Sequence, residues 1–150
     1  NFIEEKKLAY NAQYYTQEDV NFLELAYKLG EKCEPVNDAF EVGAVVKTVD
    51  WSIFTGYSRE FWGREHAEEV AIFKAVLAWK SLVGAILYSS LEPCSERSSS
   101  DISCSELIIR AGFAKVFSWQ REGQEYVANC VWIEKLRQAN IIVIEWILKK

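Results

Sequence analysis

The sequence has no methionine and a single histidine in 150 residues. Without a methionine no initiator stands at its head, and a true start upstream of Asn1 is left open. It has no stretch approaching the roughly 20 apolar residues that cross a bilayer. The opening Asn1-Phe2-Ile3-Glu4-Glu5 lacks the basic-then-apolar order of a targeting segment. No membrane partner is expected on these grounds. Basic charge is also short, and the net charge is −5. Proteins that grip nucleic acid do so mainly through basic contacts to phosphate. The charge balance therefore favours a small-molecule substrate and argues against a nucleic-acid partner. Four cysteines are present, Cys33, Cys94, Cys104 and Cys130. Four could close two disulfides in a secreted chain. Nothing else suggests secretion, so the expectation is reduced thiols in a cytoplasmic protein, some of them metal ligands.

What is present is a globular composition, half hydrophobic and 14% aromatic. A chain of this length fits one domain and buries roughly 70% of its unfolded surface. The reading is a single domain over 1–150, with 1–15 as an added helix or arm. Thr16-Gln17-Glu18-Asp19 starts a helix, a hydroxyl cap followed by acids. Val20, Leu23 and Tyr27 give its apolar spacing and Gly30 its stop. Val42–Thr48 and Ser52–Gly56 read as a strand pair. Ala67–Lys80 reads as a helix with Val70, Phe73, Ala75 and Leu77 as its apolar positions, and the Trp and Phe residues in general are assigned mostly to the core. Strands follow at Ala85–Ser89, Lys115–Ser118 and Ile141–Glu145, with helices at Cys104–Ala111, stopped by Gly112, and Tyr126–Ala139. This alternation predicts a three-layer α/β/α sandwich with a mixed five-stranded sheet.

Two segments carry chemistry. His66-Ala67-Glu68-Glu69 opens one helix. Glu92-Pro93-Cys94 is followed, after nine intervening residues, by Cys104 at the head of another. Imidazole and thiolate suit Zn²⁺, and three protein ligands leave a fourth position for water. Helix N-termini favour the thiolate form, so His66, Cys94 and Cys104 are the candidate metal ligands. Glu68 need not bind metal. From the first turn its carboxylate can reach the water, which is where a proton shuttle must stand. Plainer readings stand beside these. A lone histidine is usually structural, and the two cysteines could be ordinary buried thiols. A closed structural zinc would need Cys33 or Cys130 as a fourth ligand. Glu69 reads as a helix-start acid, and most of Ser95–Ser103 as a solvated loop. Arg97 is weighed as a phosphate contact.

The pattern His-x-Glu with a later Pro-Cys…Cys is a signature of zinc deaminases. The chain resembles the cytidine-deaminase-like superfamily, and within it the RibD-type deaminase domain of the riboflavin pathway. Val42-Gly43-Ala44-Val45-Val46, His66–Glu69, Leu91-Glu92-Pro93-Cys94-Ser95 and Cys104–Ile109 followed by Ala111-Gly112 carry the resemblance, which runs from about Asn37 to Glu145. It implies zinc, hydrolytic release of ammonia from an aminopyrimidine, a homo-oligomer, and contact of the Ala67 backbone N–H with a substrate carbonyl. It departs at two places. Many superfamily members have two residues between the cysteines. RibD-like proteins usually carry Asn-Pro where this chain has Ala39-Phe40, with Asn37 offset. Phe40-Glu41-Val42-Gly43-Ala44 resembles cytidine deaminases instead and makes Phe40 a candidate for the ring pocket. Bifunctional RibD-type proteins also carry a reductase domain, and none is expected within residues 1–150. Besides an aminopyrimidine deaminase, the readings are a cytidine or deoxycytidine deaminase, a nucleic-acid base deaminase, and an idle module of this fold.

Overall fold

The computed structural model describes residues 15–32, 42–90, 103–121 and 131–148. Within them the chain runs α1 (Gln17–Gly30), β1 (Gly43–Lys47), β2 (Ile53–Tyr57), α2 (Ala67–Leu77), β3 (Ile86–Ser89), α3 (Cys104–Ala111), β4 (Lys115–Arg121), α4 (Val131–Gln138) and β5 (Ile142–Leu148). The five strands form one sheet in the order β2-β1-β3-β4-β5. β1 is antiparallel to β2 and β3, while β3, β4 and β5 run parallel. The sheet is mixed, as the alternation of elements predicts.

Strand side chains alternate between faces, and two rows run across the sheet in register. Val45, Tyr88, Phe117 and Ile144 form one row. They pack on Leu23, Ala26 and Leu29 of α1. Val46, Leu87, Val116 and Val143 form the other, packed with Ala67, Ala71 and Ala75 of α2, Ile108 of α3 and Leu136 of α4. Among the described residues one helix therefore covers one face and three cover the other. The alanines of α2 recur every fourth residue, which brings that helix close to the sheet. Gly56 of β2 completes the approach, because a Cβ there would lie 2.5 Å from the Ala67 carbonyl oxygen. Gly43 does the same for α1, since its Cβ would land on the Ala26 carbonyl oxygen.

Several sequence expectations shift. Tyr27 is 40% exposed, and the buried face of α1 is Asp19, Leu23, Ala26 and Leu29 instead. Phe73 and Leu77 of α2 are exposed, and Trp51, Trp62 and Trp79 are exposed as well, so among the described residues the Trp and Phe side chains are not mostly core. Helix α2 ends at Leu77 rather than Lys80. Its end is a Schellman-type turn in which Lys80 N–H donates to the Ala75 carbonyl at 3.1 Å and Trp79 N–H to that of Val76 at 3.0 Å. The left-handed position is taken by Trp79 with φ 60, where a sequence reading looks for glycine. Strands β4 and β5 each run three residues beyond the expected Ser118 and Glu145. The helix expected over Tyr126–Ala139 is described from Val131. The possible arm over 1–15 lies outside the described residues apart from Tyr15.

Candidate active site

Gly43 at the start of β1 lies opposite Tyr57 at the end of β2, and Ala44 opposite Ser89 at the end of β3. These ends lie on one edge of the molecule. Helix α2 starts after β2 and α3 after β3, so both N-termini come to that edge. It is also where the strand direction switches between β1 and the parallel set, the usual crevice for a ligand in an open α/β sheet.

His66 caps α2 in an extended conformation. Its backbone N–H donates to Glu69 Oε1 at 2.8 Å. Glu69 is thus the capping acid that its position suggests. The preceding turn is braced as well: Glu65 accepts from the N–H groups of Phe61 and Gly63, and these contacts hold its carboxyl below the ordinary carboxylate range against the opposing effect of burial. Glu68, one residue earlier than Glu69, is 3% exposed. Ala67, between His66 and Glu68, is fully buried. Across the edge, Ser103 caps α3, its Oγ accepting from Glu106 N–H at 3.2 Å. Ser103 therefore belongs to the helix and not to a solvated loop. Cys104 follows it and has no exposed surface.

The two helix ends meet through side chains. His66 Nδ1 lies 3.2 Å from Cys104 Sγ. Two ligands of one tetrahedral zinc, at Zn–N near 2.0 Å and Zn–S near 2.3 Å, would stand about 3.5 Å apart. The donor chemistry and the separation both fit a shared metal. Among the described residues no three His, Cys, Asp or Glu side chains converge. Cys94, the remaining candidate ligand, lies outside the described residues, as do Cys33, Cys130, Arg97 and Phe40. Sequence reasoning missed Ser90, which is buried just before the Cys94 segment. Its Oγ accepts from Gly43 N–H and its own N–H donates to the Gly43 carbonyl, both at 2.9 Å. The signal was a serine pair closing an apolar strand, where a polar group needs a partner. Asp19 was read only as a helix-start acid. It also accepts from the buried Tyr88 hydroxyl beneath α1.

A sheet of this order brings a His–Cys pair together at two helix N-termini, a donor pair of the kind that suits a zinc ion. The family model for the cytidine and deoxycytidylate deaminase zinc-binding region matches residues 16–119. The diaminohydroxyphosphoribosylamino-pyrimidine deaminase of Schizosaccharomyces pombe is 45% identical over 117 residues, covering 77% of this chain and 29% of that protein. The structure of a deaminase/reductase from Thermotoga maritima superposes with a TM-score of 0.73 at 34% identity, over 85% of this chain and 36% of that one. The Rib2 deaminase of Aspergillus oryzae shares the fold, with a TM-score of 0.71 at 24% identity, over 87% and 85%. The chain belongs to the cytidine and deoxycytidylate deaminase family, and it is similar to the riboflavin-pathway deaminases within it. It spans about a third or less of the length of the curated relatives it matches. Among the described residues no helix is long and apolar enough to cross a membrane.

Proposed function

We propose that this chain is a hydrolytic deaminase domain that releases ammonia from a small aminopyrimidine, a phosphoribosylamino-pyrimidine of the kind named for its relatives. The observation that carries the reading is the 3.2 Å approach of His66 Nδ1 to Cys104 Sγ, with buried Glu68 in the adjoining first turn. The names of the Schizosaccharomyces pombe and Thermotoga maritima proteins support the substrate class. His66, Cys94 and Cys104 would hold a zinc ion. Zinc bound there would supply Lewis acidity, making a water in its open position easier to deprotonate. The thiolate ligands suit a reducing compartment such as the cytoplasm.

The protein's own groups divide the remaining work. Glu68 takes a proton from the attacking water as the oxygen bonds to the ring carbon bearing the amine. It passes that proton to the ring nitrogen and then carries the second proton, from the new hydroxyl on the ring carbon, to the departing nitrogen, so that water and the amine become a ring carbonyl and ammonia. Its burial keeps bulk water out of that exchange. The N–H of Ala67 belongs to the first turn of α2, where backbone donors have no carbonyl partner within the helix. It is available to a substrate carbonyl. The resemblance of Phe40–Ala44 to cytidine deaminases would make Phe40 a lining residue of the ring pocket. The whole of 1–150 acts as one unit.

An ammonia-release assay tests the substrate. The compounds are the phosphoribosylamino-pyrimidine, cytidine, deoxycytidine, cytosine, guanine and a single-stranded oligonucleotide. The expected result is turnover of the first and none of the oligonucleotide, whose polyanion meets a chain of net charge −5. Preference for cytidine would favour the nucleoside reading that Phe40–Ala44 supports. Turnover of the oligonucleotide alone, or of nothing, would overturn the proposal.

A further inference from the structure

Residues 58–65 carry the chain from β2 to His66. The first half of this turn is tied to its neighbours. Ser58 N–H donates to the Val42 carbonyl at 2.9 Å. Glu60 accepts from Tyr57 N–H at 3.3 Å and pairs with Lys74 of α2 at 2.6 Å. Phe61 meets Phe73 of α2 edge-on, with ring centroids 6.1 Å apart. The second half runs over the surface, with Trp62, Gly63 and Arg64 all exposed. Glu65, at its end, gives it its shape.

Glu65 closes the turn twice. Its carbonyl accepts from Arg59 N–H at 2.9 Å. Its carboxylate folds back inside that closure, where Oε2 accepts from Phe61 N–H and, at 3.3 Å, from Gly63 N–H. Gly63 leaves the room for this, since a Cβ there would stand 2.4 Å from Glu65 Oε1. Arg59 and Trp62 hold left-handed backbone, at φ 60 and φ 69. That conformation is unfavourable for a residue with a Cβ. Contacts therefore hold the turn in shape against the preferences of its residues. Beyond it, His66 is fixed through its N–H by Glu69 at 2.8 Å and through its carbonyl by Val70 N–H at 3.1 Å. The backbone of His66 is thus anchored from the helix by Glu69 and from the turn by Glu65. The 3.2 Å approach of its Nδ1 to Cys104 Sγ depends on both.

We infer that Glu65 is a positioning residue of the candidate metal site: its carboxylate stiffens the 59–65 turn, so that His66 is presented to Cys104 before a metal arrives. The inference rests on the proposed assignment of His66, Cys94 and Cys104 as zinc ligands. A ligand already held in place loses less freedom when the metal binds, and the difference appears as affinity. Glu65 does this through the backbone and needs no contact with metal or substrate. The geometry sets what residue 65 must supply. It is one acceptor oxygen at the reach of a glutamate, because Oε2 takes both N–H groups. The negative charge is not part of the requirement. Glutamine meets it and alanine does not.

Zinc affinity of the full chain, measured by competition with a chromophoric chelator, tests this. Glu65→Ala should weaken binding about tenfold, the low end of what residues supporting a metal ligand contribute. Glu65→Gln should bind as the unaltered chain does. Gly63→Ala should reproduce the loss, because its Cβ displaces the carboxylate. In a Glu65→Ala background the same change should cost nothing further, since no carboxylate is left to displace. Circular dichroism of the metal-free proteins checks each fold. If Glu65→Ala does not fold, Gly63→Ala against Glu65→Gln carries the comparison. Cobalt(II) in place of zinc gives a second measurement. The visible bands of tetrahedral cobalt should weaken in Glu65→Ala and return in Glu65→Gln. Glu65→Ala with unaltered affinity and cobalt bands, Glu65→Gln as weak as Glu65→Ala, or additive losses in the double variant would overturn the inference and leave the zinc assignment standing. An unaltered chain that binds no zinc would overturn both.

Discussion

Glu68 and Glu69 are chain neighbours with different surroundings. Glu69 closes the start of α2 through His66 N–H, a cap that the sequence signalled. Glu68 is buried at the site, and on the proposed reading it carries protons. Glu68→Gln should keep the fold and the metal and lower turnover by about 10²–10⁴-fold, the usual worth of a positioned proton carrier. Ammonia release with metal analysis of the same sample checks this, and near wild-type turnover would remove Glu68 from the role. A second buried acid lies on the other face. Asp19 accepts from Thr16 N–H at 2.8 Å and from the Tyr88 hydroxyl. Burial first, and then the carboxylate beside it, hold the Tyr88 phenol well above its ordinary 10.0. A raised folded value means that the contribution is complete below pH 10 and is lost as the pH climbs above it, because the unfolded chain then ionises while the folded one does not. Tyr88→Phe should cost about 1–3 kcal/mol near neutrality by leaving Asp19 one donor short. It should also flatten the alkaline fall in stability. Urea midpoints on both sides of pH 10 measure both effects, and parallel curves for the two proteins would contradict this account.

At the scale of elements, the placement of α2 depends on Gly56. A Cβ there would press on the Ala67 carbonyl oxygen at 2.5 Å and on Ala71 N at 2.8 Å. Both are backbone atoms and cannot swing away, so Gly56→Ala must lift the start of α2 from the sheet. The expected cost is about 1–3 kcal/mol, with a loss of turnover larger than the fall in melting temperature explains, since Ala67 sits between His66 and Glu68. An unchanged melting temperature would show that the helix yields freely. The elements that were legible in the sequence had local chemistry at their ends: the Thr16–Asp19 start of α1 and Gly112 after α3. Those that were not legible depended on surroundings. Trp79 ends α2 in a conformation that its residue type disfavours. Phe73 and Leu77 have the spacing of core residues, and periodicity cannot tell a face turned to the sheet from one turned outward. Buried partners such as Ser90 with Gly43 and Asp19 with Tyr88 are far apart in sequence, so no local pattern announces them. The candidate site was legible in His66, Glu68 and Cys104 because each stands at or within the first turn of a helix.

At the scale of the whole molecule, α2 and α3 follow different strands, and their N-termini meet at the edge where His66 faces Cys104. A metal held there and at Cys94 would tie two helices and the segment between β3 and α3 into one body. It would bind the folded chain and find no ready-made site in the unfolded one, so its binding energy becomes folding energy. At free zinc a thousand times its dissociation constant the gain is about 4 kcal/mol. For a domain of this size each kcal/mol moves the melting temperature by about 2–4 °C. Removing the metal with a chelator should therefore lower the melting temperature by about 10 °C, and zinc should restore it. Cys104→Ala and Cys94→Ala should melt low with or without chelator, because the ligand set is already broken. Cys33→Ala and Cys130→Ala should still respond to chelator as the unaltered protein does. If Cys33→Ala or Cys130→Ala also lost the response, the metal would be a closed four-ligand structural site. No position would then be open for water, and the deaminase reading would lose its chemical basis.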